Sequence, residues 1–188
     1  MILVGCETMQ SNDYTNVDNL YVVDTSSLLD AKLWYGRVRG FWDFFGNLIL
    51  NGKVIIPEAV KAEIDIGRSD DFIKKFLNNY KHKIFNFNDQ ILKTVEIINK
   101  DHGGYYSRHK NEYADAHVVA TAIYHKKQPR LDAIEIYVIS QESLNFKNDY
   151  EEKVSKGEVK PKIPNLCRKY EINHINLYRL LDMENKDI

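Results

Sequence analysis

The chain has 188 residues, of which 44% are hydrophobic and 28% are charged, and its formal net charge is −1. This length and balance predict one globular domain and exclude a disordered chain. The near-zero charge excludes a uniformly basic protein, so any nucleic acid would have to meet local basic patches. Two cysteines without metal-binding spacing, and the absence of a long apolar run, predict a soluble cytoplasmic protein with no membrane partner.

Residues 1–20 are polar and aperiodic, which predicts an N-terminal tail or arm before a single domain over 21–188. Short β-branched runs then alternate with amphipathic stretches. The runs predicted as strands are 21–23, 53–56, 83–85, 136–140 and 174–177. Uninterrupted apolar strands are covered on both faces, so the pattern predicts an α/β sandwich with a central parallel sheet of about five strands. The charged, aperiodic segment 145–162 is predicted as an exposed loop or insertion.

Asp24 follows the first predicted strand directly and opens the stretch Asp-Thr-Ser-Ser. In a parallel sheet, ligands collect outside the carboxyl ends of the strands, which is where this carboxylate falls. An aspartate at this position is equally suited to cap the helix that follows. The sequence leaves both roles open.

Three further acids fall in comparable places. Glu63 borders the apolar face of the helix after the second strand, and Glu142 lies just beyond the fourth strand, two residues after Ser140. Taken singly, each of these two glutamates could be a solvated surface residue. Asp115 lies on the apolar stripe of its own helix, where a charge is costly unless a cation or hydrogen bonds meet it. His117 falls off that stripe and is predicted at the surface.

Four carboxylates at one edge of a sheet predict a cation site. Carboxylates crowded together cannot all stay ionised without a cation between them. A ligand set of carboxylates without cysteine or histidine matches Mg²⁺ or Mn²⁺ in preference to Zn²⁺. Such clusters typically hydrolyse phosphodiesters, so the acids predict a metal-dependent phosphodiesterase.

The segment 103–110, Gly-Gly-Tyr-Tyr-Ser-Arg-His-Lys, leads into the helix of Asp115 and is the candidate RNA contact. Its two rings, Tyr105 and Tyr106, could stack on bases, while Arg108 and Lys110 could contact phosphates. The alternative is a solvated loop with charges at the start of a helix.

Four stretches, "YVVDTSSLLD", "IPEAVKAEI", "ADAHVVATA" and "VISQES", are similar in order and spacing to the acidic motifs of PIN-domain ribonucleases, the VapC-like enzymes. The closing "KPKIPNLCRKYEINHINLYRLL" resembles the C-terminal motif of a prokaryotic PIN-like subfamily catalogued as domain of unknown function 4411. The resemblance covers roughly Tyr21 to Leu181 and leaves the first twenty residues unexplained.

This resemblance implies a three-layer α/β/α fold and a Mg²⁺- or Mn²⁺-dependent endoribonuclease. It also implies the setting of a type II toxin–antitoxin pair, with a cognate antitoxin and a homodimer as partners. Matched motif by motif, the catalytic acids are Asp24, Glu63, Asp115 and Glu142, and the first three are the metal ligands. Glu142 stands where the family usually has an aspartate, so its metal contact could run through water. The hydroxyls of Thr25 and Ser26 would orient Asp24. Asn111 could do likewise or simply cap the helix of Asp115, and Ser140 would support the fourth acid.

Three other functions compete with this assignment. A catalytically degenerate PIN-like scaffold that binds partners is kept open by Glu142 and by the near-neutral charge. A haloacid-dehalogenase-type phosphatase needs a second aspartate two residues after the first, where this chain has Ser26. A response-regulator-like receiver needs a lysine after a late strand, and here Gln141 and Glu142 follow instead.

Overall fold

The structure of the chain, a computed structural model, describes residues 19–67, 71–109, 114–129 and 134–184. Its strands are β1 (Leu20–Val23), β2 (Val54–Pro57), β3 (Ile84–Phe85), β4 (Ile136–Ile139) and β5 (Asn173–Ile175). They form one parallel sheet in the order β3-β2-β1-β4-β5. The predicted α/β class with a five-stranded parallel sheet is therefore confirmed.

Helices surround this sheet. They are α1 (Thr25–Tyr35), α2 (Arg39–Leu50), α3 (Glu58–Ile66), α4 (Asp71–Asn79), α5 (Asp89–Asp101), α6 (Tyr105–Arg108), α7 (Ala114–Lys127), α8 (Tyr150–Ser155), α9 (Ile163–Lys169) and α10 (Leu177–Met183). Every residue of β1 and β2 is buried, which requires that helices cover both faces of the sheet. None of the described helices is long and apolar enough to cross a membrane.

The order of the strands across the sheet reverses between the neighbouring strands β1 and β4, although all five strands are parallel. From β1 the sheet runs through β2 to β3 on one side, and through β4 to β5 on the other. Val23 of β1 is in register with Ile139 of β4, so Asp24 and Ser140 are the first residues beyond the same edge. Such a reversal opens a crevice at the carboxyl ends of the two strands, where α/β proteins bind ligands.

Two local expectations from the sequence are corrected. The segment 145–162, predicted as an exposed loop or insertion, contains α8, whose Tyr150 and Val154 are buried. A six-residue helix has too few turns to display a hydrophobic period, which is why the sequence pattern hid it.

His117 is buried, not at the surface, and its ring lies 4.3 Å from that of Phe87. Helix α7 is buried on all sides over 114–123, so a single stripe does not describe it. The predicted site residues Lys110 and Asn111, and the tail apart from its last two residues, lie outside the described residues.

Candidate active site

Asp24 is held at the junction of β1 and α1. Its backbone N–H donates to the carbonyl of Ile139 at 3.0 Å, which continues the pairing of β1 with β4. Its buried carboxylate accepts hydrogen bonds from the backbone N–H of Ser26 at 3.1 Å and from the Ser26 hydroxyl at 2.5 Å. Asp24 is therefore the N-cap of α1, one of the two roles that the sequence left open.

Ser26 joins the ends of the two central strands. While its hydroxyl donates to Asp24, the same oxygen accepts the backbone N–H of Gln141 at 3.2 Å. The neighbouring Ser27 hydroxyl donates to the carbonyl of Ile139 at 3.0 Å. The serines of the stretch Asp-Thr-Ser-Ser thus fix the first turn of α1 to the segment after β4. The Ser26 hydroxyl thus holds the Asp24 carboxylate in place.

Asp115 enters the same region from the first turn of α7. Its side chain is only 8% exposed, and its Oδ2 atom lies 2.8 Å from Nζ of Lys160. Lys160 belongs to the loop between α8 and α9 and is itself one-third exposed. A buried carboxylate has thus acquired an ammonium group as its counter-ion, as the cost of burying a lone charge requires.

The pKa values show that Asp24, Asp115 and Glu142 share one electrostatic environment. Burial and, to a smaller extent, the Glu142 charge raise the pKa of Asp24 to about 6, against the lowering effect of the Ser26 hydrogen bonds. Burial and the charges of Asp24 and Glu142 raise the pKa of Asp115 to about 8, against the lowering effect of Lys160. Like charges act this strongly only when they lie close together in a poorly solvated place.

Glu63 is linked to the start of α1 through Thr25. Its Oε2 atom accepts a 2.5 Å hydrogen bond from the Thr25 hydroxyl, and its side chain is half-buried on α3. The expectation that the Thr25 side chain orients Asp24 is therefore wrong, because its hydroxyl orients Glu63. Thr25 follows Asp24 directly in the chain, so this contact ties Glu63 to the first turn of α1, which Asp24 caps.

Glu142 binds the start of α9. Its Oε2 atom accepts the backbone N–H of Ile163 at 2.8 Å, and its Oε1 atom lies 3.1 Å from Nζ of Lys162. The Ser140 hydroxyl lies 2.9 Å from Nε2 of His174 on β5, and accepts the Glu142 N–H at 3.4 Å. Both Glu142 oxygens thus have protein partners, and the carboxylate serves the local fold.

The candidate RNA contacts of segment 103–110 are corrected. Tyr105 is 7% exposed and Tyr106 is fully buried, so neither ring can stack on a base in this conformation. The pattern misled because α6 is a four-residue helix whose burial comes from packing against residues distant in the chain.

Arg108 donates to the carbonyl of Gly157 at 2.6 Å. Gly103 has φ +59°, and a Cβ added there would lie 2.5 Å from the backbone nitrogen of Gly157. That glycine permits close packing of two loops and is not a hinge.

The chain matches, over residues 21–188, the family described as domain of unknown function DUF4411. The chain belongs to this family. No curated protein and no solved structure matches it. The matched range begins inside β1 and includes Asp24, Glu63, Asp115 and Glu142. The description of the DUF4411 family states no activity, so function has to be argued from the site.

The acids of this DUF4411 protein suit a divalent ion in kind, although they do not form a closed cage. Within the described ranges, no three His, Cys, Asp or Glu residues are grouped closely enough to hold a metal ion. Mg²⁺ is commonly held by one or two carboxylates, with waters and substrate phosphates completing its shell. Asp24 and Asp115 supply two such carboxylates, buried and mutually repelling, so the donor set fits the ion that the sequence predicted.

Three residues near the acids of this DUF4411 protein were missed from the sequence: Lys160, Lys162 and Tyr150. The lysines are the first and third residues of the stretch Lys-Pro-Lys-Ile-Pro, just before α9. The available signal was a pair of lysines in the connection after β4, just before a helix with proline in its first turn. Tyr150 gave no signal, because its role depends on the unpredicted helix α8.

Proposed function

We propose that this DUF4411 protein is a Mg²⁺- or Mn²⁺-dependent endoribonuclease with a PIN-like fold. The observation that carries the proposal is the buried pair Asp24 and Asp115 at the β1–β4 reversal. The Asp24 charge raises the pKa of Asp115 although Lys160 pairs with Asp115, so the two carboxylates repel each other and a divalent ion between them would stabilise both. A parallel sheet with acids at its carboxyl edge also suits the PIN resemblance of the sequence.

Each residue has a distinct role in the proposed reaction. A divalent ion at Asp24 and Asp115 would supply an activated water and neutralise charge on the scissile phosphate. Ser26 holds the Asp24 carboxylate in one orientation. Glu63, fixed by the hydroxyl of Thr25 at the start of α1, is a further acid of the proposed site. Because Glu142 is bound to α9 and Lys162, its contribution is to shape the site and not to bind the metal.

The test is cleavage of single-stranded and structured RNA with Mg²⁺ or Mn²⁺ by the wild type, Asp24→Asn and Asp115→Asn. Both substitutions remove a metal-binding charge and should lower the rate at least ~100-fold. Asp65→Asn is the matched control, because Asp65 lies on the exposed side of α3 and pairs with Lys61 one turn away. Equal activity in all four proteins would reveal a contaminating nuclease and remove the assignment.

The biological setting proposed is that of a toxin restrained by a cognate antitoxin, with a homodimer as the assembly. A ribonuclease of this kind degrades cellular RNA, so expression of the chain alone should arrest growth. Asp115→Asn should relieve the arrest while leaving the protein level unchanged. Growth at the normal rate with abundant wild-type protein would argue against the toxin role.

A second candidate is a PIN-like scaffold without catalysis. It is favoured by the two lysines, because Lys160 and Lys162 already neutralise Asp115 and Glu142 without a metal. A scaffold of this kind should give no saturable Mn²⁺ binding and no RNA cleavage that depends on Asp24. Saturable binding that Asp24→Asn abolishes would reject it.

A further inference from the structure

The segment Lys160–Pro161–Lys162 brings two ammonium groups to the acids. Nζ of Lys160 lies 2.8 Å from Oδ2 of Asp115, and Nζ of Lys162 lies 3.1 Å from Oε1 of Glu142. The two acids come from different elements, α7 and the end of β4. One tripeptide therefore supplies counter-ions to two of the carboxylates that share the site.

The backbone of this segment is fixed on both sides of the proline. The buried Tyr150 hydroxyl accepts the N–H of Lys162 at 2.6 Å and donates to the carbonyl of Lys160 at 3.4 Å. Pro161 is buried between them, and its ring fixes its φ. The lysine side chains, by contrast, are 33% and 41% exposed. The segment thus combines a rigid base with ammonium groups on flexible four-carbon stems.

Lys160 and a divalent ion need the same carboxylate. The ammonium lies 2.8 Å from Oδ2 of Asp115, so a divalent ion bound to the same carboxylate would repel it strongly. Occupation of Asp115 by a metal would therefore weaken its ion pair with Lys160. Because Tyr150 holds the backbone, the ammonium would stay beside the acids. In a nuclease, an ammonium in that place can bind a phosphate oxygen of the substrate.

We propose that Lys160 alternates between two anions: Asp115 in the metal-free protein, and an RNA phosphate once a divalent ion is bound at Asp115. The inference rests on the proposed nuclease function and names a substrate contact for it. Lys162 remains on Glu142, which keeps the start of α9 and the base of the segment in position.

The experiment compares the wild type, Lys160→Gln and Lys156→Gln by calorimetric Mn²⁺ titration and by RNA cleavage at saturating Mn²⁺. Loss of the competing ammonium should tighten Mn²⁺ binding by Lys160→Gln about 10-fold, and loss of the phosphate contact should slow cleavage about 100-fold. Lys156→Gln changes an exposed lysine on the same connection, paired with Glu152, and should match the wild type in both. Lys160→Arg keeps the charge, so its Mn²⁺ affinity should stay near the wild-type value and cleavage should recover to within about 10-fold.

Unchanged Mn²⁺ affinity in Lys160→Gln would overturn the inference, and so would unchanged cleavage at saturating Mn²⁺. Circular dichroism and urea unfolding of each variant separate a role at the site from a loss of fold. If neither the wild type nor Lys160→Gln binds Mn²⁺, the metal site itself is wrong and the proposed function fails with it. Failure of the Lys160 role alone leaves wild-type Mn²⁺ binding and cleavage intact, so the two failures are distinguishable.

Discussion

The Ser26 hydroxyl donates a 2.5 Å hydrogen bond to the buried carboxylate of Asp24. The same oxygen accepts the N–H of Gln141, the second residue beyond β4. One hydroxyl thus aims the first acid of the candidate site and couples it to the neighbouring strand. Oriented carboxylates bind metal ions better than free ones, because the supporting hydrogen bonds restrict the ligand to one position.

Ser26→Ala should weaken Mn²⁺ binding and slow RNA cleavage by about 10- to 100-fold, because the hydrogen bond that positions Asp24 is lost. The fold should survive, at a cost of about 1 kcal/mol in the free energy of unfolding. Ser155→Ala is the control, since Ser155 is exposed and its hydroxyl donates to the carbonyl of Glu152 in its own helix. Cleavage by Ser26→Ala within twofold of the wild type would contradict this role.

The metal-free protein should lose stability at the candidate site as the pH rises. The folded pKa values, about 6 for Asp24 and about 8 for Asp115, lie above the ordinary value for an aspartate because of burial. The unfolded chain therefore releases these protons first, and the penalty grows from about pH 4 to about pH 8.

The measurement is urea unfolding with a chelator at pH 5 and pH 8, for the wild type and Asp115→Asn. His102, which is buried, and His174, which is half-buried, have pKa values that desolvation lowers, so they act in the opposite direction. The difference between the two proteins is therefore the relevant quantity. Asp115→Asn should gain much more stability relative to the wild type at pH 8 than at pH 5. A pH-independent difference would contradict the raised pKa of Asp115.

Glu142→Gln should affect stability more than metal binding. It removes an ion pair with Lys162 and a charged acceptor for the N–H of Ile163, which together stabilise the fold by about 1–2 kcal/mol. Mn²⁺ affinity should fall by about tenfold or less, because only a neighbouring charge is lost and not a ligand. Glu152→Gln, at an exposed residue of α8, is the control. A loss of Mn²⁺ binding as large as that of Asp24→Asn would return Glu142 to the ligand set that the resemblance implied.

Tyr106→Ala should destabilise the protein by about 3–5 kcal/mol, because it empties a fully buried aromatic position. Its effect on RNA cleavage should follow the loss of folded protein and not a lost base contact. Tyr178→Ala, at a ring that is 70% exposed, should change the free energy of unfolding by less than about 0.5 kcal/mol. Wild-type stability of Tyr106→Ala together with weaker RNA binding would restore the stacking role predicted from the sequence.

The sequence was sufficient to predict those features of the fold and of the site that depend on local pattern. Apolar runs located the five strands, and the acid that ends β1 fell at the sheet edge because parallel strands share their carboxyl end. Asp115 was found because a charge among apolar residues of a helix has few explanations. These inferences depend on spacing within one element, which a single chain displays directly.

The sequence was insufficient where contacts join distant segments. The ion pair of Lys160 with Asp115, and the hydrogen bonds of Tyr150 to both lysines of its loop, depend on where α8 packs. Burial of Tyr106 and His117 likewise comes from neighbouring elements and not from their own helices. Glu142 occupies the predicted place, yet its carboxylate binds α9, because its partners lie about twenty residues away in the chain.

The central claim is that Asp24 and Asp115 together hold a divalent ion. Calorimetric titration of Mn²⁺ into the wild type, Asp24→Asn and Asp115→Asn at pH 7.5 tests it most directly. We expect saturable binding by the wild type and its loss in both variants, with the fold retained by circular dichroism. Binding that survives both substitutions, or a wild type that binds no Mn²⁺, would contradict it.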